Sequence, residues 1–87
     1  MAIYGYSKRQ ITEHGLLELS EVTFDIAAKD LRKIASFLNE CAELVESGEW
    51  RTSHRHLSES DCDWDNDHPD SDVIVIHPSR DPPKVVA

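Results

Sequence analysis

The stretch DCDWDNDHPDSD, Asp61 to Asp72, sets Asp61, Asp63, Asp65 and Asp67 at alternate positions and adds Asp70 and Asp72. Carboxylates at this density are the ligand type of a hard cation, which gathers several oxygens around itself. The alternating aspartates fall on the first, third, fifth and seventh places of an EF-hand loop, and Asp72 on the twelfth. Three features argue against calcium. Asn66 stands where glycine makes the sharp turn, Asp72 is shorter than the bidentate glutamate, and the flanking segments read as strands where the motif needs helices. The sequence predicts no metal here.

The acidity is local. Glu59 to Asp72 holds seven acidic residues and no Lys or Arg; the chain has 17 acidic and 9 basic residues, so ten acids face nine bases elsewhere, and nearly all of the net charge of -8 belongs to this window. Such a surface repels phosphate backbones, so no nucleic-acid partner is expected, and it suits a basic protein surface. Trp64 sits inside the run, and a purely solvating connector has no need of a large ring. Either it folds back onto a sheet edge and anchors the loop, or it is an apolar anchor for a partner within a charged rim.

His54 and His56 form a second constellation. On a strand they share a face about 7 Å apart, as some metal sites require, and Cys62, His68 and His77 could complete the set, but no third ligand stands at a recognisable spacing. There is no nucleophile elbow, HExxH motif or phosphate-cradling glycine loop, and three glycines with one small core leave little room for a deep pocket. The expectation is a protein that is not an enzyme and has no cofactor.

These residues have to be positioned by a small scaffold. Eighty-seven residues with 39% hydrophobic content fit one domain with a single core. LLELSEVTFDI alternates Val22, Phe24 and Ile26 with Glu21, Thr23 and Asp25, the period of a half-buried strand; Leu17 and Leu19 take the opposite parity, which predicts a bulge or bend near Ser20. AIYGYS is a shorter strand that could pair with it as a hairpin, across the polar connector SKRQITEHG. In AAKDLRKIASFLNECAELVESG, Leu31, Ile34, Ala35, Leu38, Cys41, Ala42 and Val45 recur at helical spacing, Phe37 and Leu44 widen the stripe, and Gly48 is a natural stop. Lys29, Arg32 and Lys33 lie early in this helix and Glu40, Glu43 and Glu46 late, the reverse of what the macrodipole favours, which fits a solvated face or a partner-facing one. EWRTSHRHLSE suggests a third strand and DVIVIHP a central fourth. The layout is α+β: a small antiparallel sheet of about four strands with one amphipathic helix packed across it, β-β-α-β-β, over residues 1–78, followed by a Pro-interrupted tail at 79–87.

Cys41 and Cys62 are too few for a disulfide framework, the opening MAIYGYSKRQ lacks the apolar run of a signal peptide, and no stretch approaches membrane-spanning length. A cytoplasmic protein with two free thiols and no membrane contact is expected.

YGY at Tyr4–Tyr6, GLLELSEVTF at Gly15–Phe24, DLRKIASFLNECAELVESG at Asp30–Gly48, the W and SHRHLSE between Trp50 and Glu59, and DVIVIHP at Asp72–Pro78 occur in that order. Together they resemble the immunity protein 32 family of bacterial polymorphic toxin systems. The resemblance spans most of the chain and implies a protein that neutralises a cognate toxin by binding it, with no catalytic assignment. Arg55 departs from it, standing between the two histidines where an acidic residue is expected, and the acidic stretch belongs to this sequence in particular. The reading is an immunity protein covering the active site of a basic toxin domain, with Asp61, Asp63, Asp65, Asp67 and Asp70 as its charged contacts and Trp64 as its apolar anchor. Two alternatives stand beside it: a metal-binding domain using His54, His56 and loop carboxylates, and a structural homodimer formed through an exposed strand edge.

Overall fold

The computed structural model describes residues 2–10 and 17–78. The tail expected at 79–87 and the later part of the expected connector, residues 11–15, lie outside the described residues, while its first part, 7–10, belongs to a strand. Strands β1 (Ala2–Gln10) and β2 (Leu17–Asp25) pair antiparallel, and a helix, α1 (Ala28–Ser47), follows. Then come a three-residue strand β3 (His54–His56), two short helices α2 (Leu57–Ser60) and α3 (Cys62–Asp67), and a strand β4 (Ile74–Ile76) antiparallel to β3. The class is α+β. The single four-stranded sheet expected from the sequence is instead two separate ladders, β1–β2 and β3–β4, so among the described residues β4 pairs with β3 alone and is not a central strand.

The parity switch in β2 has its predicted consequence. Tyr6 pairs with Glu21 and Ser7 with Leu19, which leaves Ser20 unpaired in the register; its hydroxyl donates to the Tyr6 carbonyl at 3.4 Å. The extra residue returns Leu19 to the face that carries Val22 and Phe24, where it lies over Gly5: a β-carbon at Gly5 would meet Leu19 Cδ1 at 2.6 Å.

Helix α1 ends as its sequence dictates. Gly48 takes φ 73°, a left-handed conformation natural to glycine, and its N–H reaches back to the carbonyls of Leu44 and Val45. The apolar stripe is rotated from expectation. Ile34, Phe37 and Cys41 are buried with Trp50, Leu57 and Trp64, and Ile26, Leu44, Val45, Val73 and Val75 pack against them. Leu31 and Leu38, expected inside, remain 45% and 44% exposed. On a helix whose apolar arc spans both rows, the row that turns inward is the one facing the two tryptophans and Leu57.

Pairing of His54 with Ile76, Arg55 with Val75 and His56 with Ile74 puts the histidines and isoleucines on the outer face of the β3–β4 ladder and turns Val75 toward the core. The reversed charge order of α1 also finds an explanation. Lys33 Nζ lies 3.4 Å from Asp61 Oδ2, and Arg55 Nη2 donates to Glu40 Oε1 at 2.8 Å, so an early base and a late acid serve the segment packed across the helix. Among the described residues no helix is long and apolar enough to cross a membrane.

Candidate functional site

The acidic run folds as a helix held from beneath. Six residues rich in Asp and Asn are poor helix formers, yet three devices hold α3. Asp61 accepts from the backbone N–H groups of Asp63 at 3.0 Å and Trp64 at 3.3 Å, an N-cap that satisfies two orphan donors. The acids that follow sit in the first turn, at the positive end of the helix. Trp64 then seals the segment: it is fully buried, and its Nε1–H donates to the Ser71 carbonyl at 3.0 Å. Burial of a side chain this large stabilises by roughly 2–3 kcal/mol relative to solvent.

This corrects the expectation for Trp64. Its ring is inside the protein's own core and is not available to a partner in this fold. Asp61 is also committed within the chain, to the cap and to Lys33. Burial opposes its charge, but the N–H groups of Asp63 and Trp64 together with Lys33 outweigh that and hold its carboxyl below the ordinary value. Asp63, Asp65, Asp67 and Asp70 are exposed, and among the described residues none of them has a cation within ion-pair distance. These four are the outward acids of the segment, with Asp63 and Asp67 on one side of α3 and Asp65 on the other.

The helix also dissolves the EF-hand register. Residues two apart on a helix point to nearly opposite sides, so Asp63, Asp65 and Asp67 do not converge as they would in a loop. Nor do the histidine-centred ligand candidates assemble. The rings of His54 and His56 meet edge to face with centroids 4.9 Å apart, Cys62 is exposed on α3, His68 turns to Asp30, and His77 packs on Trp50 at 5.2 Å. Among the described residues no three His, Cys, Asp or Glu side chains are grouped to hold a metal ion.

Asp72, counted at first with the loop, ties it down instead. Its carboxylate accepts from the Ser58 backbone at 3.0 Å, the Ser58 hydroxyl at 2.8 Å and the Val73 backbone at 2.8 Å, and lies 2.8 Å from His56 Nδ1. Burial works against the charge, but His56, Ser58 and Val73 together hold the carboxyl below its usual range. The bond to His56 Nδ1 fixes that ring with a proton on Nδ1, since a carboxylate only accepts.

Asp30 was not singled out in the sequence. It lies at the buried end of α1, 4% exposed, its Oδ2 3.0 Å from His68 Nε2. The ring nitrogen is not aligned with that oxygen for a directed hydrogen bond, and among the described residues neither Asp30 Oδ1 nor His68 Nε2 has a hydrogen-bond partner. A signal was present: Asp30, Ile34, Phe37 and Cys41 follow one helical row, so Asp30 shares the periodicity of the buried face.

Comparison with family models, with characterised proteins and with solved structures returns no match to this chain.

Proposed function

We propose that this chain is a non-enzymatic binding protein that presents a rigid acidic surface to a basic protein. The observation that carries the reading is the set Asp63, Asp65, Asp67 and Asp70, exposed and without cation partners among the described residues, on a segment fixed by the buried Trp64. Asp63 and Asp67, one turn apart on the same side of α3, repel each other, and a basic partner relieves that repulsion. Prepaying the ordering of that segment leaves less entropy to lose on association. The depressions along the described surface are open and shallow, in keeping with contact over a face rather than with an enclosed substrate.

The resemblance to the immunity protein 32 family supplies the identity of the partner in this reading: a toxin domain with a basic active site, covered by α3, where the carboxylates compete with an anionic substrate. The test is association kinetics with the toxin domain encoded beside this chain, at low and high salt. Replacing Asp63, Asp65 and Asp67 together by Asn should slow association at least about tenfold at low salt and much less at high salt, while the melting temperature holds or rises slightly. An association rate indifferent to both the substitutions and the salt would remove the acidic face from the function.

A further inference from the structure

His56 carries more support than a surface histidine needs. The Asp72 carboxylate accepts from Ser58 twice and from Val73 once, and with its orientation fixed by those donors it takes the Nδ1–H of His56 at 2.8 Å. The second ring nitrogen, Nε2, is thereby left with the lone pair. Among the described residues no hydrogen bond reaches that atom. A carboxylate on one ring nitrogen and a bare lone pair on the other is the arrangement that orients a histidine ligand and makes it more basic toward a metal ion.

His54 completes a pair. It sits two residues away on the same outer face of the ladder, and the rings meet with centroids 4.9 Å apart. Two imidazoles on one tetrahedral ion, each with its nitrogen about 2.0–2.1 Å from the metal, have centroids roughly 5 Å apart. The β3 backbone therefore holds the rings at the separation a chelate requires. His54 Nδ1 is engaged as well, 2.9 Å from Ser53 Oγ, a hydroxyl able to accept that nitrogen's proton and leave the lone pair on Nε2. The exposed Ile74 and Ile76 stand opposite the two histidines in the ladder and form an apolar collar beside the rings. The open cleft next to the pair is lined also by Glu49 and Glu59; of its two arginines, Arg55 is already paired with Glu40.

We propose that His54 and His56 form a two-histidine site for a divalent ion of the zinc class, bound through both Nε2 atoms, with Asp72 as the positioning residue. Neutral imidazole is a ligand for zinc, copper and nickel, whereas magnesium and calcium take oxygen. Among the described residues no third metal-ligating side chain is grouped with the pair. Water or an incoming ligand therefore fills the remaining positions, and the ion binds reversibly at the surface. The site uses none of Asp63, Asp65, Asp67 or Asp70, so it stands or falls independently of the acidic segment and of any toxin partner.

The test is a zinc chloride titration of the full chain, first stripped with EDTA and followed by calorimetry and by long-range proton–nitrogen spectra of the histidine rings. Saturation at one ion per chain is expected, with the Nε2 resonances of His54 and His56 shifting together while those of His68 and His77 hold. His54→Gln and His56→Gln should each weaken binding by at least about tenfold. Asp72→Asn should weaken it by about 10–100-fold, the usual effect of removing a carboxylate behind a histidine ligand. In that variant zinc should still move both rings, and the near-ultraviolet signal of Trp50 and Trp64 reports that the core is intact. Cys62→Ser removes the exposed thiol and should leave zinc affinity unchanged. Absence of saturable binding at millimolar zinc overturns the proposal, as does binding that survives both histidine substitutions or is lost with Cys62. An unchanged affinity in a folded Asp72→Asn variant overturns the role given to Asp72.

Discussion

His68, at the end of the acidic helix, sets its Nε2 3.0 Å from Oδ2 of Asp30 in the first turn of α1, and its ring packs on Trp64 with centroids 4.6 Å apart. The acidic surface is thus latched to the main helix by a contact that itself involves a buried acid. Removing one member leaves the other without its partner, which is costly in a buried setting. His68→Ala, which removes the ring packed on Trp64 and beside Asp30, should destabilise by about 1–3 kcal/mol in urea unfolding. In a double-mutant cycle with Asp30→Asn, a coupling of about 1–3 kcal/mol is expected. Additive losses would mean that the two side chains act separately.

Trp64 divides the acidic run into what faces inward and what faces out. Trp64→Ala should cost about 3–5 kcal/mol. Trp64→Phe keeps most of the ring but leaves the Ser71 carbonyl without its donor, and should cost about 1–3 kcal/mol. Asp65→Asn, one residue on, should stay within about 0.5 kcal/mol. Chemical denaturation of the three variants gives this ranking directly; equal costs at Trp64 and Asp65 would contradict the packing of α3.

Asp72 gives the protein an acid-sensitive hinge point between α2 and β4. Its folded carboxyl holds a proton less tightly than the unfolded one, so as pH falls the unfolded chain takes up that proton first. The stability Asp72 contributes is complete above the ordinary carboxylate value near 4 and is lost as pH falls through the lower folded value. Asp72→Asn should lower stability at neutral pH by about 1–3 kcal/mol and make the decline below pH 4 shallower than in the unchanged protein. Parallel decline in the two proteins would show that this carboxylate does not carry the effect.

Much of the scaffold was legible in the residues. The span of α1, its glycine stop, the bulge at Ser20 and the extended DVIVIHP segment all follow from periodicity, backbone freedom and turn chemistry, which act locally. The errors share a different cause. Leu31 and Leu38 lie beside Ile34, Phe37 and Cys41 on an apolar arc too wide to name its own centre, and the choice is made by Trp50, Leu57 and Trp64, which are distant in sequence. Likewise CDWDND has little helical tendency, and forms α3 because Asp61 caps it and Trp64 has a core to enter. Whether two ladders merge into one sheet is decided by how their edges meet, and no local pattern encodes that.

The environments of Cys41 and Cys62 give the protein a built-in reporter. Cys41 is 2% exposed, and burial, eased by Arg55 and reinforced by Glu40, pushes its thiol upward in pKa, away from the thiolate that reacts. Cys62 is exposed in the first turn of α3, next to Asp63. A thiol reagent applied to the folded protein should modify one cysteine quickly and the other only on unfolding. A fluorophore can then be placed on the acidic surface by single-site chemistry with no substitution at all, and its emission would register any molecule arriving there.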